Sequence, residues 1–317
     1  MAPLPYRLAT LRRVLARPIS SGAPIAALVT IVSASELPGQ QDPWADKDSP
    51  LHSIRWIDGE KQVDIGNVAE FTIPAECRYA EAKGAQDLLT ITQNVPTGRE
   101  QGALLCRGTS AGMKAWFVIF SFDPSGYVRD DERKALNADK ILATIREGTA
   151  RANNVRKSQG WDELIVDGWV RAPYYDTATH NLTWSIRGHS GSDGAGVNHS
   201  VRLLGRRGVL HADLVAPAEQ LEAIMGTYDT VVASTSFLRG QRYSEWRKGD
   251  KVAAYGLTAL VAGGAGVAVA TKLGLFGKLG KFLAVTFAKL GKVIIGAVVA
   301  LLAGLRAIFR RRSTATA

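Results

Sequence analysis

The chain has 317 residues, 46% of them apolar, and a formal net charge of +10. That length and composition exclude a disordered chain and leave room for one large domain or two ordinary ones. The charge argues against a nucleic-acid partner, because it sits at the two ends and leaves a mildly acidic middle, whereas a DNA- or RNA-binding domain carries its basic footprint on the folded part.

At the amino end, Arg7, Arg12, Arg13 and Arg17 precede an apolar run from Ala23 to Val32 that closes on Val32-Ser33-Ala34. This is the layout of a secretory signal peptide over residues 1–34. An amphipathic first helix is the alternative, but Pro18 and Pro24 interrupt it. Residues 35–53, rich in Pro, Gly, Asp and Ser, read as linker. Export would place the two cysteines, Cys77 and Cys106, where a disulfide persists; two unrelated buried thiols are the alternative, since their spacing matches no metal site and no redox pair.

Residues 54–245 read as an exported α+β domain. Period-two runs around Gln62 to Ile65 and Ala69 to Ile73, joined by Gly66-Asn67, predict a hairpin. A short helix follows near Ala80 to Gln93. GALLCRG and KAWFVIFSFD are nearly continuous apolar stretches, as buried strands are. The longest helix runs over about Ala135 to Lys157, with Ile141, Ile145, Ala152 and Val155 on one face. ELIVDGWVRAP and HNLTWSIRG then flank a turn, SVRLLGRRGVLHADLVAP forms a further hairpin, and Pro217 to Val232 is a second amphipathic helix. Adjacent antiparallel strands with helices inserted among them predict one antiparallel sheet with helices packed on one face.

Few residues in this body offer chemistry. GHSGS approaches the nucleophile elbow G-x-S-x-G at Ser190, but Ser192 replaces the last glycine and a loop, not a helix, follows. His52, His180, His189, His199 and His211 show no spacing that places two imidazoles on one helical face, so no metal is expected. Asp130, Asp131 and Glu132 cluster after GYV without the alternation of a calcium loop, and acids there suit the start of a helix. Arg206 and Arg207 occupy a hairpin turn, where they either grip an anion or are ordinary exposed charge. Trp169, Tyr174, Tyr175 and Trp184 either fill a core or line a ligand groove. The candidate ligand set is therefore Asp130, Asp131, Trp169, Tyr174, Arg206 and Arg207. No cofactor is indicated.

The carboxyl end is a different material. Lys251, Lys272, Lys278, Lys281, Lys289, Lys292, Arg306, Arg310, Arg311 and Arg312 are the only charged residues beyond 250. VAAYGLTALVAGGAGVAVAT, residues 252–271, lacks the Gly-Lys-Ser/Thr ending of a phosphate loop. Its uncharged length, about 30 Å as a helix, matches the hydrocarbon core of a bilayer and predicts a transmembrane helix. In residues 273–292, Lys278, Lys281, Lys289 and Lys292 fall within an arc of about 80° at helical spacing, a basic stripe suited to an anionic membrane surface. Residues 293–309 are a second apolar run. Two full crossings would put the lysine stripe and Arg310 to Arg312 on opposite sides, against the usual distribution of positive charge, so one crossing and two remain open.

Three stretches, GYVRDD at 126–131, LGRRGVL at 204–210 and RYSEWRKGDKVAAYGLTALVAG at 242–263, are distinctive in combination. Through them the chain resembles a bacterial family of uncharacterised membrane-anchored proteins, a domain of unknown function, over about Ile54 to Arg312. The resemblance implies an exported domain ahead of a carboxyl-terminal anchor and supplies no catalytic residues. The expectation is a binding, sensing or assembly module in the periplasm, anchored in the bacterial inner membrane. Its partners would be anionic lipids and either a second copy or another envelope protein. The alternative is an envelope hydrolase or transferase whose site gathers separated residues into one polar pocket.

Overall fold

A computed structural model describes residues 42–263, apart from 111, 192 and 193. The amino-terminal signal-like segment, the lysine stripe and the second apolar run therefore lie outside the described residues.

In chain order the elements begin with β1 (Ile57–Asp58), β2 (Gln62–Ile65), β3 (Ala69–Thr72), β4 (Cys77–Glu81) and α1 (Ala82–Ile91). They continue with β5 (Glu100–Cys106), β6 (Trp116–Asp123), α2 (Ala138–Ser158), β7 (Leu164–Asp176) and β8 (Asn181–Ser190). The last are β9 (Gly196–Leu204), β10 (Val209–Pro217), α3 (Leu221–Ser234), β11 (Ser236–Phe237) and α4 (Leu257–Ala262). Eight strands form one antiparallel sheet in the order β1-β4-β5-β6-β10-β9-β8-β7, and β11-β3-β2 form a small second sheet. The architecture is α+β, with the hairpins where turn chemistry puts them.

The expectation of helices on one face is corrected. Trp116, Val118 and Phe120 of β6 pack with Leu210, Ala212 and Leu214 of β10 against Ile224, Tyr228 and Val231 of α3, together with Phe71 of the small sheet. Their alternates, Phe117, Ile119 and Val215, point the other way and meet Ala85, Leu88 and Leu89 of α1. Farther along that second face, Leu182, Trp184 and Ile186 of β8 meet Ile141 and Ile145 of α2 and Leu257, Leu260 and Val261 of α4. Strands apolar at every position are covered on both sides. All nine residues of β9 are buried, and KAWFVIFSFD carried the same message.

Cys77 and Cys106 stand opposite each other on β4 and β5 and form a disulfide. The domain is also longer than hydropathy and composition indicate. Within the expected linker, Leu51 is fully buried in the α1 core, and Trp44 packs edge-on against Trp56. At the other end, the segment expected to start a membrane span is part of the fold. Val252 bridges Tyr127, and Leu257, Leu260, Val261 and Ala262 are buried against α2 and β8. A helix that is apolar all round is buried in protein or in lipid, and composition does not separate the two. Among the described residues, no helix is long and apolar enough to cross a membrane.

Candidate functional site

The three distinctive stretches of sequence meet at one place, and they hold the carboxyl segment on the sheet. Tyr127 donates its amide to Lys251 O at 2.8 Å and accepts from the Ala253 amide at 2.8 Å. Gly126 has φ of +100°, and a Cβ there would lie 2.6 Å from Lys251 O, so only glycine allows this approach. The Tyr127 and Tyr243 rings stack at 4.4 Å, with Trp246 at 5.3 Å from Tyr127. Arg206 donates from Nε and Nη2 to the two carboxylate oxygens of Asp250 at 2.7 and 2.8 Å. No further anion is needed to explain Arg206, because its charge is already met by a bidentate carboxylate. Glu132 accepts from the Thr258 amide at 3.3 Å, at the start of α4.

Each candidate ligand residue has its own place in the fold. Arg206 belongs to this clasp and Arg207 is an exposed turn residue. Asp130 lies near Arg133 at 3.8 Å, and Asp131 is exposed in a short 3-10 turn. Trp169 donates its indole N–H to Ala138 O at 3.2 Å, which secures the start of α2, while Tyr174 is 62% exposed on β7. None of the six lines the cavity described next. Ser190 is buried at the end of β8, without the helix that a nucleophile elbow requires.

A cavity of about 250 Å³ lies instead on the sheet face, between α2, α4 and the loop that follows α1. The polar centre of its floor comes from a single hairpin. Asn198, Ser200 and Arg202 alternate along β9, His211 and Asp213 along β10, and register sets Arg202 opposite His211 and Ser200 opposite Asp213. Asp213 Oδ1 accepts from Ser200 Oγ at 2.5 Å and from Arg202 Nη1 at 2.8 Å, and the Arg202 guanidinium lies 4.6 Å from the Trp184 ring. Burial, then the charges of Arg202 and Arg99, hold His211 well below the ordinary histidine value, so its imidazole is neutral.

Arg156 of α2 supplies a second wall. It is 5% exposed, donates from Nε to Asp162 O at 2.6 Å and from Nη1 to Gln93 O at 2.8 Å, and has no carboxylate within ion-pair distance among the described residues. Burial draws its pKa down, partly opposed by the field of Asp162. Three buried nitrogens on cavity-lining residues have no hydrogen-bond partner: Arg156 Nη2, Arg202 Nε and His211 Nε2. Leaving buried polar groups unmet is costly, and clusters of them mark places where something else supplies the acceptor. Among the described residues no group of three or more His, Cys, Asp and Glu is placed to hold a metal ion.

Of these residues only His211 stood out in the sequence, as a histidine without metal spacing. Arg156 reads as the polar side of an amphipathic helix. The usable signal was in HSVRLLGRRGVLHADL, where polar residues recur at every second position on both arms of one hairpin.

Fold and cavity together define an α+β domain built on a broad antiparallel sheet, with a cavity that sets a few buried polar groups against an apolar wall. The chain belongs to DUF2167, a family of proteins of unknown function, whose model matches residues 57–302. No curated protein matches the chain. Among solved structures, cyanobacterial PsbP (CyanoP) from Synechocystis sp. PCC 6803 is similar over 57% of this chain and 94% of its own, at 16% identity and a TM-score of 0.36. The Saccharomyces cerevisiae Ran-binding protein Mog1p is similar over 60% of this chain and 100% of its own, at 9% identity and a TM-score of 0.32.

Proposed function

We propose that the chain is a binding and sensing module of a bacterial envelope, anchored in the inner membrane by its carboxyl tail with the α+β domain on the periplasmic side. The observation that carries the binding part is the cavity with unmet nitrogens on two buried arginines. Such a chamber is built to be filled, since an uncompensated buried charge destabilises the empty state. Export is supported by the signal-like amino end and by the Cys77–Cys106 disulfide, a bond characteristic of oxidising compartments. The anchor is supported by the long uncharged and basic stretches that follow the domain. Anionic lipids are the partners this assigns to the tail.

Reporter fusions after residues 263 and 317, with trapping of free thiols in living cells, test the location. Phosphatase activity after 263 and an oxidised Cys77–Cys106 pair are expected. A reporter active only in the cytoplasm, with both thiols free, overturns the periplasmic assignment.

A further inference from the structure

The cavity walls specify what enters. Arg99, Arg156 and Arg202 face it against the carboxylates of Asp123 and Asp213, three positive groups against two negative. Asp213 is engaged by Arg202, and Asp123 has Arg99 at 3.8 Å and the Tyr255 hydroxyl at 2.5 Å. The surplus charge is therefore that of Arg156, whose two protein acceptors are neutral carbonyls. One negative charge balances it; a phosphate dianion would leave a second charge buried and unpaired. The remaining wall is apolar, with Leu164, Trp184, Ile186, Leu260 and Val261. A volume of about 250 Å³ is near the lower end of ligand chambers, so the occupant is small.

We infer that the cavity binds a small organic carboxylate, its anionic oxygens accepting from Arg156 Nη2 and Arg202 Nε and its apolar body lying against Trp184, Ile186, Leu260 and Val261. A guanidinium matches a carboxylate in shape as well as charge, and the match is strongest where water is excluded. Arg202 is already fixed by Asp213 and Trp184, and Arg156 by two carbonyls, so neither side chain loses much freedom on binding. The inference rests on reading the domain as a binding module.

The test is isothermal titration of the full chain in non-ionic detergent, with detergent alone as blank. Hexanoate and benzoate are the probes, with 1-hexanol, decanoate and inorganic phosphate for comparison. Saturable binding of hexanoate at least tenfold tighter than 1-hexanol and phosphate is expected. Arg156→Met should bring hexanoate down to the level of hexanol while circular dichroism stays unchanged. Should that variant misfold, Leu260→Trp, which fills the apolar wall, should weaken hexanoate at least tenfold. Equal binding of hexanol and hexanoate, or tighter binding of phosphate, overturns the carboxylate and leaves the binding module standing. Decanoate binding more tightly than hexanoate assigns the anion to membrane fatty acids and overturns a small occupant. Heat from none of the probes overturns both.

Discussion

Tyr255 donates its hydroxyl to Oδ2 of Asp123 at 2.5 Å, joining residues 132 positions apart in sequence. Asp123 is 5% exposed and lines the cavity, while Tyr255 belongs to the segment that leads out of the domain. This contact is one of the links between site and exit. Tyr255→Phe removes the donor and keeps the ring, so it leaves a buried carboxylate short of a partner. A loss of about 1–3 kcal/mol is expected in urea denaturation, and Asp123→Asn in the same chain should recover part of it.

The Cys77–Cys106 bond closes a loop with a sequence separation of 29 inside the sheet. Replacing both cysteines by alanine should cost about 2–5 kcal/mol of stability. Denaturation of the parent chain in reductant should show a matching loss, and the alanine variant should not respond to reductant at all.

His199 on β9 is buried, its Nδ1 2.7 Å from Ser185 Oγ, and burial lowers its pKa to about 4, aided by Arg171. An unfolded histidine titrates near 6.5, so the unfolded chain takes up a proton first as the medium is acidified. Stability is therefore complete above about pH 6.5 and falls between there and pH 4, by about 3 kcal/mol for this group. Unfolding measured at pH 7.5, 5.5 and 4 should show the fall, and His199→Gln should flatten it.

LGRRGVL owes its second glycine to contact. A Cβ on Gly208 would sit 2.1 Å from Asp123 O, backbone against backbone. Gly208→Ala must push β6 and the hairpin apart and should cost about 1–3 kcal/mol, read as a lowered melting temperature. An exposed neighbour such as Arg207→Ala should leave it unchanged within error.

Breaking the Arg206–Asp250 fork acts on the exit segment rather than on the sheet. Arg206→Lys keeps the charge and loses the planar two-point match. Amide exchange should accelerate at least tenfold over residues 242–262, with β6 and β10 unaffected.

How much of this was legible follows from what kind of signal each element leaves. The hairpin of β9 and β10 shows in its turn, LGRRGV, and α2 in the recurrence of Ile141, Ile145 and Ala152. The same helix also shows the limit, since Val155, placed on the buried face by its chemistry, is 39% exposed and Arg156 takes the interior. Periodicity ranks side chains by polarity, and a functional cation in a wall violates that ranking. The cavity floor depended on register, Arg202 opposite His211, which no single strand reveals. Arg206 attracted attention as a turn cation, but its partner Asp250 was out of sight 44 residues away. The α4 helix, with Leu257 and Leu260 to Ala262 buried, has the composition of a membrane span because the domain's interior is as apolar as lipid there.

Leu260, Val261 and Gly263 border the cavity, and Gly263 is where the chain leaves the described fold. Within the described residues the chamber wall therefore reaches the last position, Gly263. A pull applied along the chain at Gly263 is a pull on the chamber wall itself, resisted by α4 and, behind it, by the Tyr255 and Asp250 contacts in series. Any force carried by the chain at that residue would thus bear on the side chains that border the cavity.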